Sequence, residues 1–347
     1  MSGGTPGIAV IGCGYWGVNY LRVMNELPAS VRWAVDAAAE RRAFVAGRYP
    51  RLRVTGDYQE ALADPAVDAV VIATPATAHF PLVRDCLAAG KHCLVEKPLT
   101  TDGESSRRLA ELADEAGRTL LVGHTFLFNA GILRMKEVMR APSFGRVYYL
   151  HATRTNLGPI REDVNALWDL APHDVAILNY LLDATPEQVS AVGGSFLGHD
   201  DHEDVAFATL RYPGGVIGNV HVSWADPNKV REVVAVGSER RVVFDDLNNL
   251  ERLRIFEKGV SYAQTDVDSF GEFRLLVRDG DIISPRVEAS EPLKNQCAHF
   301  LQALATGARP RSDGWAAVDV VRVIAAIQSS MRRDGAPVAL APVGAGA

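Results

Sequence analysis

The chain has 347 residues, a formal net charge of −6 and an apolar content of 48%. That length can supply two domains, each with its own core, while the acidic balance and the lack of any Lys/Arg cluster give no reason to expect a nucleic-acid partner or a membrane surface. No apolar run approaches the ~20 residues a membrane helix needs, the start lacks a basic-then-apolar signal pattern, and four scattered cysteines (Cys13, Cys86, Cys93, Cys297) point to reduced thiols in a cytoplasmic protein.

The first element is the apolar run Ile8–Ile11, which leads into Gly12-Cys13-Gly14-Tyr15-Trp16-Gly17 and then a helix-length segment to about Leu27. In such a turn Gly12 permits the tight bend, Gly14 lets the backbone approach a pyrophosphate, and Gly17 lets the helix pack on the strand. The first helical N–H groups then favour an anion. A second strand, Val31–Val35, ends at Asp36, about 20 residues beyond the glycines, where a ribose-binding acid is expected. A carboxylate there accepts from ribose hydroxyls and repels a 2′-phosphate. Ala37-Ala38-Ala39 offer nothing to hold such a phosphate, and Arg41 and Arg42 read as solvated helix positions, so the cofactor expected is NAD rather than NADP.

Strand and helix signals alternate up to Gly123, as in a doubly wound α/β fold with a parallel sheet. Glu40–Arg48 reads as a helix, Arg53–Thr55 as a strand and Tyr58–Ala63 as a helix. The apolar strand Ala69–Ala73 ends in Thr74-Pro75, and a helix opens at His79. His92–Glu96 ends in Lys97-Pro98, a helix covers Gly103–Ala116, and Thr119–Gly123 closes the unit. Ligands sit beyond the carboxyl ends of such strands, and Gly12, Asp36, Thr74 and Lys97 all fall at those ends. Then the rhythm changes. A helix at Asn129–Arg140, a strand at Gly145–Ala152 and a helix at Leu167–Leu182 precede strands at 189–197, 204–212, 216–224, 231–237 and 241–245. Turns such as Asp226-Pro227-Asn228 separate them, which predicts a mostly antiparallel, mixed sheet in an α+β domain. Helical periodicity returns over 293–306 and 314–331. The expected division is a Rossmann domain over 1–123, a substrate and oligomerisation domain over 124–331, and a disordered tail over 332–347.

These motifs, with Ala73-Thr74-Pro75 and His79, Glu96-Lys97-Pro98 and Asp169-Leu170-Ala171-Pro172-His173, stand in the order of the glucose–fructose oxidoreductase/inositol dehydrogenase (Gfo/Idh/MocA) family, which the chain resembles from Ile8 to about Met331. The resemblance implies a Rossmann domain, a second domain whose mixed sheet has an open face, and homodimers or homotetramers formed through that face. It also implies NAD(P)-dependent oxidation or reduction of a sugar or cyclitol hydroxyl. On the cofactor side it implies Gly12, Gly14, Tyr15, Trp16, Gly17, Asp36, Ala73, Thr74, Pro75, His79, Glu96 and Lys97. The segment from Asn156 to Asp174 is similar to members of nucleotide-sugar and amino-sugar pathways, such as the UDP-N-acetylglucosaminuronate 3-dehydrogenases, which makes a sugar nucleotide oxidised at C3 the leading substrate class.

Oxidising a secondary alcohol requires a base and a group that stabilises charge developing on oxygen. Lys97, at a strand end, suits the second task. Asp169 and His173 are four residues apart and share a helix face. By themselves they read as a capping Asp and a structural His, but the family motif makes them catalytic, with His173 near the right intrinsic pKa. The spacing leaves open whether Lys97 or His173 takes the proton. Arg154, Asn156 and Arg161 lie upstream as substrate-binding candidates, the arginines suited to a diphosphate or carboxylate, and His124 and Asn129 follow the last strand of the first domain. The run His199-Asp200-Asp201-His202-Glu203-Asp204 has metal-ligand residue types but reads as a solvated loop, so no metal is expected. Other readings are a free cyclitol or aminoglycoside dehydrogenase, a sugar 3-ketoreductase, an NAD-using glycosidase and a non-catalytic NAD-binding regulator. Retention of Lys97, Asp169 and His173 disfavours the last.

Overall fold

The computed structural model describes residues 5–158, 160, 161, 164–198, 202–262 and 275–341. The chain forms two compact units, Met1–Asn129 with Ser290–Ala325, and Ala130–Ala289 with Ala326–Ala347.

In the first unit the elements follow as β1 (Gly7–Ile11), α1 (Tyr15–Glu26), β2 (Ser30–Val35), α2 (Ala39–Arg48), β3 (Arg53–Thr55), α3 (Tyr58–Ala63), β4 (Ala69–Ile72), α4 (His79–Ala88), β5 (His92–Val95), α5 (Gly103–Glu115) and β6 (Leu120–Val122). The six strands form one sheet in the order β3-β2-β1-β4-β5-β6, and every pair is parallel. Every residue of β1, β4 and β5 is buried, so these strands read as apolar runs without alternation, as strands covered on both faces do.

The second unit opens with α6 (Ala130–Arg140), β7 (Val147–Leu157) and α7 (Ala166–Leu182). There follow β8 (Gln188–Gly194), β9 (Val205–Arg211), β10 (Ile217–Ser223), β11 (Ala225–Gly237), β12 (Arg241–Asp245), β13 (Leu253–Phe256), β14 (Gly259–Tyr262), β15 (Leu275–Arg278) and β16 (Ile282–Ile283). After α8 (Pro292–Thr306) and α9 (Gly314–Met331) the last element is β17 (Val338–Ala339). Nine strands make one sheet, ordered β16-β13-β12-β11-β7-β10-β9-β8-β17. Its β7–β10 pair is parallel and its other described pairs are antiparallel. Strand β9 shows the alternation clearly: Ala206, Ala208 and Leu210 are buried while Phe207, Thr209 and Arg211 are exposed, so one face packs and the other is open. β14 and β15 pair antiparallel as a separate two-stranded sheet.

Four expectations are corrected. Helix α8, and α9 as far as Ala325, belong to the first unit, where Lys294 of α8 pairs with Glu26 of α1; a domain read as one continuous stretch misses this return. Strand β11 runs through Asp226-Pro227-Asn228, where a turn was expected. Its register shifts between Ala225 and Val230, and such an irregularity accommodates a proline that has no N–H for the ladder. The short strands β13 to β16 carried no sequence signal. In the tail, Val338 and Ala339 pair with β8, Leu340 donates its N–H to Glu187 O at 2.8 Å, and Ser190 Oγ donates to Gly335 O, so the tail is ordered at least to this point; residues 342–347 lie outside the described residues.

Candidate active site

Because β2, β1, β4, β5 and β6 are neighbours in that order, their carboxyl ends bring Asp36, Gly12, Thr74, Lys97 and His124 into one row on one rim. Backbone bonds carry the ladder beyond the strands: Gly12 N–H to Val35 O, Ala73 N–H to Ile11 O, Glu96 N–H to Ile72 O and Gly123 N–H to Val95 O, all within 2.9 Å. The order of connections reverses between β1 and β4, the place where an open α/β sheet leaves its ligand crevice.

Three observations show that this rim fits a dinucleotide. Gly12 has φ +88°, and a Cβ on Gly17 would come within 1.7 Å of the Gly12 carbonyl oxygen, so both glycines are required by geometry; around Gly14 a Cβ would meet nothing within 4 Å, which is the open space a pyrophosphate needs. Helix α1 starts at this turn without a side-chain cap and without an acidic residue in its first turn, leaving its N–H groups and dipole to an anion. Thr74 Oγ1 is buried and finds no hydrogen-bond partner among the described residues. Tyr15 and Trp16 stand exposed at the helix start, their rings edge to face at 5.4 Å.

Asp36 has a second role that the spacing did not reveal. Its Oδ2 accepts from Cys13 N–H at 2.6 Å and its Oδ1 from Ala38 N–H at 2.8 Å, tying the glycine turn to β2 while keeping acceptor capacity for ribose hydroxyls. Arg42 is held on the carbonyl oxygens of Asp36 and Ala37 at 2.8 and 2.7 Å. Cys13 is no nucleophile, since burial and the Asp36 charge push its thiol up to about 12. Replacing Asp36 with Asn removes the charge and sets an amide N–H against a backbone N–H. NAD affinity is expected to fall roughly 10–100-fold, the loss of hydrogen bonds to a charged acceptor, with discrimination against NADP lost as well. A fluorescence titration with both reduced cofactors measures this, and an unchanged affinity for NADH would remove Asp36 from the site.

Lys97 is half-buried at the end of β5 and precedes a cis peptide bond to Pro98. His79, nearly fully buried, places its ring nitrogens 2.9 Å from Pro98 O and 3.0 Å from Thr74 O. It thus bridges the ends of β4 and β5, and burial holds its pKa down against those two carbonyls; this is a structural role, not that of a base. Burial above all, and then the Lys97 charge, lower His124 to about 3, so this residue is a neutral neighbour of Lys97.

The other candidates lie in the second unit, around the start of α7. Asn165 caps the helix by accepting Trp168 N–H at 3.0 Å, and its amide donates to Glu203 Oε2 at 2.5 Å and Gln328 Oε1 at 2.7 Å. Asp169 lies in the first turn and accepts from Arg161 Nη1 at 3.1 Å; His173 follows one turn later, half-buried. Arg154 is not a surface arginine awaiting a diphosphate. It is buried, and its Nε and Nη2 pair with both oxygens of Asp174 at 2.8–3.2 Å, pinning α7 to β7. The expected pair of arginines is therefore divided between two tasks. Asn156 donates to Gly158 O. Asn129 is buried. Of the metal-like run, His199, Asp200 and Asp201 lie outside the described residues, as does Asp163. Glu203 serves the α7 cap, and Asp204 Oδ2 accepts the N–H groups of Phe196 and Leu197, both at 2.7 Å. No cluster of three metal-ligating residues occurs among the described residues.

Residues 7–124 match the oxidoreductase family with an NAD-binding Rossmann fold, and residues 132–243 match the GFO/IDH/MocA C-terminal domain. The chain belongs to the GFO/IDH/MocA family. Among its GFO/IDH/MocA relatives, a UDP-N-acetylglucosamine 3-dehydrogenase of Acidithiobacillus ferrooxidans is 32% identical over 72% of this chain and 76% of the relative. Inositol 2-dehydrogenase 2 of Saccharopolyspora erythraea is 33% identical over 63% of this chain, a match that spans 66% of that protein. The solved structure of GenD2 from gentamicin A biosynthesis, in complex with NAD, superposes with a TM-score of 0.81 at 28% identity, covering 98% of this chain and 97% of that one. This GFO/IDH/MocA member is thus an NAD-dependent oxidoreductase, and no helix among its described residues is long and apolar enough to cross a membrane. Sequence reasoning missed the partners that hold the site, namely Tyr20, whose hydroxyl donates to Glu96 Oε1 at 2.7 Å, Gln296, which donates to that hydroxyl at 2.9 Å, Asp174 and Gln328. None stands near its partner in sequence, and only Asp174, directly after His173, carried even a positional hint.

Proposed function

We propose that the protein oxidises a secondary ring hydroxyl of a sugar with NAD, and that the sugar is nucleotide-linked or an amino sugar, oxidised at C3. The observation that carries this is Lys97 beside the dinucleotide turn on one rim, in a chain that also presents Asp169 and His173 one turn apart on a capped helix. Lys97 binds the reacting hydroxyl oxygen and stabilises the negative charge that develops there. His173 takes the hydroxyl proton, because an imidazole is largely neutral near pH 7 whereas an ordinary amine is not. Asp169, one turn before His173 and accepting from Arg161, either orients the imidazole or binds a neighbouring substrate hydroxyl. Nicotinamide chemistry supplies the hydride acceptor when Gly12, Gly14, Gly17 and Asp36 hold the dinucleotide. A cyclitol is the second reading, since the inositol dehydrogenase is as similar as the sugar-nucleotide enzyme.

The test is NADH formation by purified protein with NAD and a panel of UDP-sugars, TDP-sugars, inositols and aminocyclitols, with and without 2-oxoglutarate. Turnover of a nucleotide sugar alone supports the first reading and turnover of an inositol alone the second; binding of NAD with no turnover in either direction of the reaction rejects both. The four buried cysteines, joined by no disulfide, suit a cytoplasmic enzyme.

We also propose self-assembly through the open face of the nine-stranded sheet. There Phe207 stacks on His221 at 4.2 Å, and Phe207, Ile217 and Tyr149 stand 47%, 49% and 44% exposed, an apolar patch of the kind that marks an interface. The variant Phe207→Arg is expected to reduce the light-scattering mass to that of one chain; an assembly of unchanged mass rejects this face.

A further inference from the structure

One residue of the carboxylate-rich run before β9, Glu203, closes a ring of three side chains at the start of α7. Asn165 Nδ2 donates to Glu203 Oε2 at 2.5 Å and to Gln328 Oε1 of α9 at 2.7 Å, and Gln328 Nε2 donates to Glu203 Oε1 at 2.9 Å. Asn165 and Gln328 are both buried, so water is a poor substitute for a missing partner. The other polar atoms of Asn165 hold the first turn of α7: Oδ1 accepts Trp168 N–H at 3.0 Å, and the backbone oxygen accepts Asp169 N–H at 3.1 Å. The backbone oxygen of Glu203 accepts Ala166 N–H at 3.0 Å. All of these residues belong to the second unit.

Such a ring closes only when one of the two partners of Asn165 is a carboxylate and the other an amide. Nδ2 faces both partners, so each must show it an acceptor. An amide that shows its oxygen to Asn165 has its nitrogen left for the third contact, whereas a carboxylate has a second oxygen. Gln328 and Glu203 therefore meet as donor and acceptor; two amides would meet N–H to N–H, and two carboxylates oxygen to oxygen. If Asn165 turned over, its Oδ1 would face Glu203 Oε2, acceptor to acceptor, and Nδ2 would face Trp168 N–H. The carboxylate thus selects the orientation in which Asn165 caps the helix. We propose that Glu203 is a positioning residue: through Asn165 it fixes the first turn of α7, and with it Asp169 and, one turn later, His173. The consequence for turnover rests on the reading of Asp169 and His173 given above.

With glutamine at position 203, either orientation of Asn165 leaves one mismatched pair, so the ring no longer chooses between them and only Trp168 N–H still favours the cap. Glu203→Gln is therefore expected to speed hydrogen exchange at the Trp168 amide about 3–10-fold, the worth of one ordinary hydrogen bond. It is also expected to lower kcat roughly tenfold through a displaced Asp169, with NAD affinity unchanged. The double variant Glu203→Gln/Gln328→Glu again has one carboxylate and one amide, in exchanged places, and should return both values to those of the natural protein. Exchange is read by NMR on the full chain labelled with 15N-tryptophan, where five tryptophans keep the spectrum simple and Trp168→Phe identifies the signal. An unmoved Trp168 amide in Glu203→Gln overturns the proposal, as does a double variant that still exchanges fast. A moved amide with an unmoved kcat, on a substrate found by the panel, overturns the positioning role and leaves Glu203 a structural partner of the cap. Should Glu203→Gln alone not fold, the double variant decides: natural exchange and kcat support the proposal, and failure to fold overturns it. The amide readout needs no substrate, so a blank panel, which rejects the chemistry proposed above, leaves this test standing.

Discussion

Lys97→Met is expected to slow NADH formation roughly 10²–10⁴-fold while the affinity for NAD changes less than about threefold. Methionine keeps most of the apolar stem of a half-buried side chain and removes only the ammonium. The groups proposed to hold the dinucleotide stand on other strands: the glycine turn follows β1, and Asp36 follows β2, anchored by Cys13 and Ala38. In the reaction proposed above, what disappears is a donor and a positive charge at the oxygen on which charge develops during hydride loss. Activity on the substrate found by the panel is read at saturating NAD, and cofactor affinity is read separately by tryptophan quenching. Retention of activity within tenfold would sink the assignment of Lys97. A parallel loss of NAD binding would make it a cofactor-holding residue and not a catalytic one.

Arg154→Leu is expected to lower the free energy of unfolding by about 3–5 kcal/mol, the usual effect of leaving one partner of a buried ion pair uncompensated. Both side chains are enclosed, with Arg154 5% and Asp174 1% exposed, and water cannot easily replace the lost partner. Asp174→Leu should cost a similar amount. The double variant, which leaves no buried charge at this position, should recover to within about 1–2 kcal/mol of the natural protein. Urea unfolding of the four proteins closes this cycle. If the double variant loses the sum of the two single effects, the pair is not coupled and does not pin α7. Because α7 carries Asp169 and His173, the single variants should also lose activity at temperatures where they remain folded, through a helix no longer fastened to β7.

Much of the first unit could be read from sequence because its signals are local. The glycine turn, the apolar runs of β4 and β5 and the residues at their ends each lie within a few positions of one another, and a parallel sheet places strand ends on one rim whatever the remaining details. The second unit was less legible. Its shortest strands have two to four residues, too few for alternation to show, and Pro227 signalled a turn within a strand whose register simply shifts there.

The division at the site follows the same physical line. Sequence by itself determined which residues stand at the strand ends and which share a face of α7, since backbone periodicity and turn geometry dictate those positions. Only the tertiary structure decided what each of them does with its charge. Arg154 looked like an anion-binding group and is spent on Asp174, 20 residues away; Glu96 looked like a flank of Lys97 and is gripped by Tyr20, 76 residues away, with Gln296 behind it. A charge's role is set by which groups share its low-dielectric surroundings, and those partners are chosen by the fold, from parts of the chain that no local pattern connects.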